Sequence, residues 1–409
     1  MCIRDRDIAL PFNITTLELS ALSCLFLLTI VVIATSAALP RRIGRWIKQK
    51  SLAQDGNART NLPALSVIVY APANCSEALQ TMIPQLMEQN YPDYEVIVVN
   101  ADKCGHVGDA LTRLGLEYPH LRTTFTPENS CNVSIKKLSI TLGIKAAVND
   151  FVLITSALCR PKSDQWLTGM ARHFAKGADI VVGYAHSEFD NDMERGRRYR
   201  AYDETEEAAV YLNAALCRRP FRCHGSNIAY RKQLFFDNRG FSSSLNLKYG
   251  DDDIFLKEIA RRGKTAVELS PETILLEHHD DFRYEFRLQK LFRCFTQRRT
   301  RPLINGETVR QACYYLFLLA VACTIGYAAW IALQTNEISD YWKAGAIGGA
   351  ALLLFIVQQL SDILTYRKTA RLLQGRMLFF TVPALRFVRP FRNCIARIKS
   401  RHAGNYTWQ

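Results

Sequence analysis

Three consecutive aspartates, Asp251, Asp252 and Asp253, follow Gly250 and precede a segment with helical periodicity. Adjacent carboxylates repel one another, and each disfavours burial of the others. A fold keeps such a cluster when a positive or reactive group lies opposite it, which is the functional interpretation. The other is structural, because carboxylates at a helix N-terminus cap free N–H groups and complement the helix dipole. The triplet alone leaves both interpretations open.

The elements that must position this triplet alternate between strands and helices from Asn61 to Thr300. The pattern is typical of an α/β fold with a mainly parallel sheet covered by helices. Ligands of such sheets bind beyond the carboxyl ends of the strands, so the residues after Tyr70, Asn100 and Thr155 are candidates for a site. The predicted strands are 64–70, 94–100, 121–125, 151–155 and 179–184, and the predicted helices are 77–88, 107–116, 136–148 and 163–174.

Three apolar stretches, 19–39, 312–333 and 344–361, approach the roughly 20 residues that a transmembrane helix needs. The first is too long for the apolar core of a signal peptide, and the third is also compatible with a buried core helix. The predicted organisation is an N-terminal segment 1–15, transmembrane helices 16–39, 312–333 and 344–365, a basic linker 40–63, an α/β domain 64–300 and a basic amphipathic tail 366–409.

The charge distribution predicts the orientation. The chain carries a net charge of +14, with basic residues crowded after the first and third apolar stretches. The positive-inside rule then places 40–311 and 366–409 in the cytoplasm and the 334–342 loop outside. Twelve cysteines without metal-type spacing fit free thiols in a reducing compartment. We therefore predict an integral protein of a bacterial inner membrane with a cytoplasmic domain.

Aromatic and basic residues interleave at 282–301 and 377–401. Nucleic-acid binding is one interpretation of this pattern. An interfacial amphipathic helix fits better, because both segments flank predicted membrane helices. We expect contact with anionic lipid, a lipid-linked or membrane-proximal partner near the aspartate triplet, and no nucleic-acid partner.

The order of segments resembles membrane-bound family 2 glycosyltransferases, which have a GT-A fold. The similarity extends from about Leu65 to the C-terminus. The segments that carry it are SVIVYAPAN (66–74), NYPDYEVIVVNADKCG (90–105), KKLSITLGIKAA (136–147), VLITSALCRPKSDQWL (152–167), HGSNIAYRKQLFF (224–236) and GDDDIF (250–255).

This resemblance implies transfer of a sugar from a nucleotide-diphosphate donor, UDP-linked in many members, to a hydroxyl acceptor. It makes Asp253 the general base that deprotonates the acceptor, supported by Asp252. It also implies inversion at the anomeric carbon, since a single displacement needs one base. The other residues it assigns are Ala71, Asn100 and Asp102 on the donor side, and Asn227, Gly225 and Asp251 on the acceptor side.

The sequence departs from the family at the metal-binding T-D-A-D-C-x-P segment. Here Ser156-Ala157-Leu158 replaces the D-A-D whose aspartates would hold Mg²⁺ or Mn²⁺. Leucine cannot ligate a hard cation, and one serine hydroxyl is a poor substitute for a carboxylate. We therefore expect no metal ligand at these positions, and the use of Mg²⁺ or Mn²⁺ stays open.

The family's Q-x-x-R-W motif, which contacts the diphosphate, has two approximate matches. The better one is Gln297–Arg301, and the weaker one is Gln289–Arg293. In both, the arginine falls one position late, on a helix face rotated by about 100°. Cations can stabilise a departing diphosphate without metal, although arginines before a membrane helix also commonly contact lipid headgroups. The donor-side candidates are Lys137, Ser156, Arg160, Arg293, Gln297, Arg298 and Arg299.

Two functions remain open on these grounds. In the first, the protein is an active, metal-independent transferase. In the second, the fold is retained without catalysis, and the protein is a binding or scaffold partner of an active membrane transferase. A transporter is disfavoured, because spans without internal charges form no obvious pathway.

Overall fold

The computed structural model describes residues 14–52, 62–102, 105–127, 133–188, 196–278, 282–302, 305–334 and 337–401. The chain divides into two compact units, one built on long apolar helices and one with an α/β architecture. Each is described by itself.

Ten strands form two sheets in the described residues of the α/β unit. Their bounds are β1 Leu65–Ala71, β2 Tyr94–Asn100, β3 Leu121–Phe125, β4 Phe151–Ser156, β5 Cys159–Arg160, β6 Ile180–Val182, β7 Ala185–Ser187, β8 Ile228–Arg231, β9 Thr265–Val267 and β10 Leu275–Glu277. The main sheet has the order β3-β2-β1-β4-β8-β6-β9, and all its pairs are parallel except those of β8 with β4 and β6. The predicted α/β fold with a mainly parallel sheet is confirmed.

Twelve helices complete the described chain. Their bounds are α1 Thr16–Leu52, α2 Ser76–Met87, α3 His106–Glu117, α4 Ile135–Ala146, α5 Trp166–Ala175, α6 Arg197–Leu216, α7 Lys232–Asp237, α8 Ile254–Ile259, α9 Phe282–Thr300, α10 Gly306–Gln334, α11 Ile338–Leu372 and α12 Val382–Lys399.

The core of the α/β unit lies on both faces of the main sheet, because β1, β2 and β4 are almost continuous runs of buried aliphatic residues. Gly143 brings α4 close to this sheet. A Cβ atom on Gly143 would lie 2.3 Å from Cγ2 of Ile68 in β1. A larger residue there would push α4 away from the strands whose ends form the site described below.

The smaller sheet has the order β5-β10-β7. Strand β5 follows β4 after only two residues, so this sheet lies next to the carboxyl end of the main one. The parallel strands β1 and β4 end in register, with Tyr70 opposite Ser156. The topology therefore brings together the ends of both sheets.

Helices α1, α10 and α11 are each long and apolar enough to cross a membrane. The prediction of three such helices is confirmed, and each extends beyond its predicted span. In this unit Glu18 joins all three: its Oε1 lies 2.8 Å from Nζ of Lys343 and accepts a hydrogen bond of 2.9 Å from the Tyr327 hydroxyl.

Helix α12 has the reverse of the usual amphipathic arrangement. Arg386 and Arg389 are each only 4% exposed, whereas Phe391 is 54% and Ile398 is 53% exposed. Nε of Arg389 lies 2.8 Å from Oδ1 of Asp203 in α6, so the buried arginine has a charged partner. Arg386 and Arg389 thus face the protein, whereas Phe391 and Ile398 face outward beside the exposed Arg392 and Arg397.

Candidate functional site

A cleft of about 470 Å³ opens beyond the carboxyl ends of β1 and β4. Its volume lies within the roughly 300–1,000 Å³ typical of small-molecule sites. Tyr70, at the end of β1, and Ser156, the last residue of β4, line it. The other lining residues are Pro72, Ala73, Asn74, Lys136, Leu158, His224, Gly225, Ser226, Tyr249, Asp251, Asp252, Glu277, Gln289, Phe292, Arg293 and Thr296.

Two of the three aspartates line this cleft. Asp251 pairs with Lys136, whose Nζ lies 2.6 Å from its Oδ2. The backbone carbonyl of Asp252 accepts hydrogen bonds from N and Sγ of Cys223, at 3.0 and 3.1 Å. Gly225 leaves the room that this packing needs, since a Cβ there would lie 3.0 Å from the Lys136 ammonium. The structure therefore groups Asp251, Asp252 and Gly225 in the cleft.

Asp251 and Lys136 are both charged in this ion pair. Burial raises the pKa of the Asp251 carboxyl, but Lys136 outweighs this effect and holds that pKa below its ordinary value. Burial lowers the pKa of Lys136, and the charges of Asp251 and Asp252 more than reverse it. Lys136 is therefore a permanent cation beside the two aspartates.

The third aspartate, Asp253, lies behind the cleft and is only 3% exposed. Its Oδ1 accepts a hydrogen bond of 2.6 Å from the amide of Ile254, the first residue of α8. Its Oδ2 accepts a hydrogen bond from the Thr296 hydroxyl. The structure thus gives Asp253 the helix-capping role that the sequence left open.

Burial and the nearby Asp252 charge raise the pKa of Asp253 to about 7. Between about pH 4 and pH 7 the unfolded chain has released this proton and the folded protein keeps it, so Asp253 lowers stability as the pH rises through that window. We expect Asp253→Asn to raise the melting temperature of the full-length protein by roughly 5 °C more at pH 8 than at pH 5. An equal change at both pH values would contradict the raised pKa.

Helix α9 forms another wall of the cleft through Gln289, Phe292, Arg293 and Thr296, which lie on one helix face. Two contacts hold the Arg293 guanidinium: Nη1 lies 3.2 Å from Oε2 of Glu207, and Nη2 donates to Oε1 of Gln289 at 3.0 Å. Burial raises the pKa of Glu207, but Arg222 and Arg293 outweigh it and hold that pKa well below its ordinary value. Glu207 therefore stays charged and fixes the arginine.

The other Gln/Arg match on α9 lies elsewhere. Gln297 is half-buried, and neither it nor Arg298 lines the cleft. Nη2 of the exposed Arg298 donates to the carbonyl of Arg397 at 3.4 Å. Arg160, in β5, pairs with Glu188 at 2.6 Å, and the Arg299 carbonyl accepts a hydrogen bond from Lys257. The weaker of the two motif matches, Gln289–Arg293, is therefore the one whose glutamine and arginine line the cleft.

Lys137 and Asn227 occupy structural positions. Lys137 is 1% exposed, and its ammonium donates to the carbonyls of Ser244, Leu247 and Tyr249 at 2.6–3.0 Å. Burial lowers the pKa of Lys137 to about 8. Lys137 thus fastens the segment before the aspartate triplet, and its neighbour Lys136 lines the cleft instead.

Asn227 is completely buried. Its Nδ2 donates to the carbonyls of Tyr184 and Thr273, at 2.8 and 3.1 Å, and its Oδ1 accepts from Nε1 of Trp166 at 3.2 Å. The side-chain amide is saturated by these contacts. Its place is inside the protein, beneath the cleft residues Gly225 and Ser226.

On the predicted nucleotide side, Asn100 and Asp102 build a turn. Oδ1 of Asn100 accepts from the amide of Asp102 at 2.8 Å, and Oδ2 of Asp102 accepts from the amide of Val107 in α3 at 3.1 Å. Ala71 is buried, and its carbonyl accepts from Ala101 at 2.9 Å. None of these three predicted donor residues lines the cleft. The loop 72–74 that follows β1 does.

The residues at the expected metal position do not fit a divalent ion. Ser156 and Leu158 both line the cleft, and Oγ of Ser156 accepts from the amide of Leu158 at 3.3 Å. In the parts of the chain that the structure describes, no group of three or more His, Cys, Asp or Glu side chains is arranged to hold a metal. Hard cations need several oxygen ligands, so we derive no step through a metal.

Sequence reasoning missed several cleft residues. His224 and Glu277 face each other, with 3.3 Å between Nε2 and Oε2. His224 could have been found from the sequence, because it immediately precedes the predicted site residue Gly225. Glu277, in contrast, lies in a three-residue strand of the smaller sheet. Thr296 has no motif of its own.

The model of glycosyl transferase family 2 matches residues 66–237, from β1 to the end of α7. This part of the chain is similar to glycosyl transferase family 2. The mostly parallel α/β fold described above is the one that this family implies. The match ends before the aspartate triplet and α9, so the assignment of that half of the cleft rests on its geometry.

Among solved structures, the chain is similar to the mannosyltransferase PcManGT from Pyrobaculum calidifontis in complex with GDP-Man and Mn²⁺. The identity is 16%, the TM-score is 0.47, and the likeness covers 85% of this chain and 99% of that chain. It is also similar to S. aureus TarS 1–349, with 14% identity, a TM-score of 0.38 and coverage of 84% and 91%. For TarS 1–349 in complex with UDP-GlcNAc the values are 13%, 0.39, 80% and 92%. With TM-scores below 0.5, these likenesses carry nothing over to the site of this chain. A comparison with curated proteins finds no match.

Proposed function

We propose that this α/β domain transfers a sugar from a nucleotide-diphosphate donor to a hydroxyl acceptor, without a metal ion. The observation that carries the proposal is the cleft itself. It places the Asp252 carboxylate in the same cavity as two cations, Lys136 and Arg293, beyond the ends of β1 and β4. A base and a site for a departing anion are the two requirements of glycosyl transfer.

Asp252 is the proposed general base, because it lines the cleft whereas the carboxylate of Asp253 is bonded to Ile254 and Thr296. In the reaction Asp252 accepts the proton of the acceptor hydroxyl as its oxygen forms a bond to the anomeric carbon. The bond from that carbon to the diphosphate oxygen breaks, and the electron pair leaves with the diphosphate. One base and one displacement give inversion.

Lys136 and Arg293 are the proposed partners of the leaving diphosphate. Fixed cations stabilise charge that develops in a transition state, and each costs no reorganisation when it is held in place beforehand. Asp251 holds Lys136, and Glu207 with Gln289 holds Arg293. These cations take the place that a metal has in relatives with a complete D-x-D.

The metal independence leads to a direct test of the proposed function. We expect the purified full-length protein to bind UDP or GDP and to release the nucleotide from UDP-glucose, UDP-GlcNAc or GDP-mannose. The rate of release should change less than about twofold between 1 mM MnCl₂ and 1 mM EDTA, because no divalent ion neutralises the leaving group. Loss of nucleotide binding and turnover in EDTA, restored by Mn²⁺, would contradict the assignment of Lys136 and Arg293.

The acceptor we propose is lipid-linked or lies close to the membrane. Helix α12 supports this, because its outward face presents Phe387, Phe391, Ile395 and Ile398 together with the exposed Arg392, Arg397 and Lys399. An apolar stripe with basic neighbours suits the headgroup region of an anionic bilayer. Together with the basic residues in the C-terminal parts of α1 and α11, it supports an integral membrane protein whose domain lies in the cytoplasm, at a bacterial inner membrane.

A second candidate is a catalytically inactive partner of another membrane transferase. It is favoured by one observation: both cleft cations already have a protein counter-ion, Asp251 for Lys136 and Glu207 for Arg293. The two candidates differ in a turnover assay. An inactive partner releases no nucleotide from any donor with any acceptor, whereas the transferase releases nucleotide with at least one pair.

A further inference from the structure

A small chamber of about 30 Å³ adjoins the cleft. The two cavities share four lining residues: His224, Glu277, Gln289 and Arg293. Helix α6 supplies much of the remaining wall of the chamber, through Glu204, Glu207, Ala208 and Tyr211. The proposed transfer reaction uses none of the α6 residues directly, so the chamber needs a separate explanation.

Two buried polar atoms that α6 contributes to the chamber have no hydrogen-bond partner among the described residues: the Tyr211 hydroxyl and Oε2 of Glu204. Nε of Arg222, in another part of the wall, is a third such atom. Tyr211 is only 4% exposed. The other oxygen of Glu204, Oε1, accepts a hydrogen bond of 2.9 Å from the amide of Ser187, so the carboxylate is held with one oxygen spare. Buried polar atoms without partners are rare in folded proteins, and each one calls for a ligand or a water.

The two atoms are complementary to a hydroxyl group. Burial raises the pKa of Tyr211, so its phenol stays protonated and donates. The free oxygen of Glu204 accepts. A single hydroxyl can accept from the first and donate to the second, as a methyl or a ring carbon cannot. The chamber has room for about one water-sized group, which fits a hydroxyl and excludes an N-acetyl substituent.

We propose that this chamber binds one unsubstituted hydroxyl of a sugar in the cleft, with Tyr211 donating to it and Glu204 accepting from it. The inference rests on the proposed transferase function and adds a specificity determinant to it. The sugar is the one transferred or the one that accepts it, and the shared chemistry is a free hydroxyl at the position that enters the chamber.

The test measures kcat and KM for nucleotide release by the full-length protein in detergent, for Tyr211→Phe and Glu204→Gln. The donors are UDP-glucose, UDP-GlcNAc and GDP-mannose, each without acceptor and with a membrane extract as the acceptor source. We expect each variant to lose about tenfold in kcat/KM on the preferred donor. A loss seen without acceptor assigns the hydroxyl to the donor, and a loss confined to transfer assigns it to the acceptor.

A matched control is Tyr94→Phe, which removes a hydroxyl that donates to the carbonyls of Leu86 and Met87, outside both cavities. It should lower stability and leave kcat/KM unchanged. Deoxy analogues of the preferred sugar add a second readout. With the unmodified protein, the analogue that lacks the bound hydroxyl should react about tenfold more slowly than the complete sugar. With Tyr211→Phe, the same analogue should react no more slowly than it does with the unmodified protein.

Unchanged kinetics of both variants, with an active unmodified protein, would mean that the chamber holds an ordered water only, and the proposal would be overturned. If the unmodified protein neither binds nor turns over any of the three donors, the transferase function fails first and the chamber has no sugar to bind. If Tyr211→Phe does not fold, Glu204→Gln alone decides between these outcomes.

Discussion

Asp252→Asn should reduce sugar transfer at least about 10³-fold while the protein still folds. The reason is that asparagine has nearly the shape of aspartate but cannot accept the proton of the acceptor hydroxyl. The contacts that hold residue 252 in place are made by its backbone carbonyl with Cys223, and the substitution leaves them intact. The measurement is nucleotide release from the preferred donor in the presence of acceptor, together with a melting curve.

Asp253→Asn is the matched control, one residue along the chain. Its side-chain oxygen can still accept from the amide of Ile254 and cap α8, as Oδ1 of Asp253 does. We expect activity within about tenfold of the unmodified protein, since this residue does not line the cleft. An inactive Asp253→Asn beside an active Asp252→Asn would assign the base to Asp253, as the family resemblance implied, and would overturn our assignment.

Arg293→Gln should lower kcat about 10²- to 10³-fold, the cost of removing a fixed donor that stabilises developing negative charge. Glutamine retains much of the aliphatic stem of arginine, but it removes the positive charge that stabilises the departing diphosphate. It also leaves Glu207 with Arg222 as its remaining close partner, at 3.0 Å. Because the interaction strengthens as charge develops, we expect a larger effect on kcat than on KM.

Arg298→Gln, on the same helix, separates the two motif matches. Arg298 is exposed and lies outside the cleft. Its removal should change nucleotide release less than about twofold, although it can weaken attachment to anionic vesicles. If Arg298→Gln proved as damaging as Arg293→Gln, the Gln297–Arg301 match would be the functional one and the cleft geometry would be misassigned.

Strands β1, β2 and β4 of the main sheet were predictable because they are long aliphatic runs, whereas the short strands β8 and β9 were not predicted. The predicted strands 94–100 and 121–125 coincide with β2 and β3, β1 is displaced from its prediction by one residue at both ends, and β4 is one residue longer than predicted. A central parallel strand is buried on both faces, so its sequence is nearly all Val, Ile and Leu. That pattern is strong and local, and it needs no knowledge of tertiary contacts.

Helix α6 could not be predicted in the same way. It buries charged residues on several faces, among them Arg200, Asp203 and Glu206, so no apolar stripe with helical period marks it. The burial is tolerated because partners arrive from distant segments. Lys290 of α9 and Arg389 of α12 both contact Asp203, at 2.5 and 2.8 Å. Long-range pairing of this kind leaves no trace in a local pattern.

The sequence indicated the outline of the cleft, but it did not show which of two neighbouring residues faces the cavity. The sequence indicated the strand ends, the aspartate triplet and Gly225, which the structure brings together or close to the cleft. It favoured Lys137, yet adjacent residues on a helix point about 100° apart, and Lys136 is the one in the cleft. Which of two neighbouring residues faces a cavity depends on the rotation of the helix about its own axis where it packs on the sheet. Packing at residues such as Gly143 determines that rotation.

The outward apolar face of α12 has a consequence for anyone who wishes to produce the domain alone. Deleting the long apolar helices would leave Phe387, Phe391, Ile395 and Ile398 in water, and such a fragment should self-associate. Deleting α12 as well would not produce a stable fragment, because it would remove Arg389 and leave the buried Asp203 with less positive charge nearby. A soluble fragment should instead keep α12 and replace its outward apolar residues, Val388 included, with polar ones.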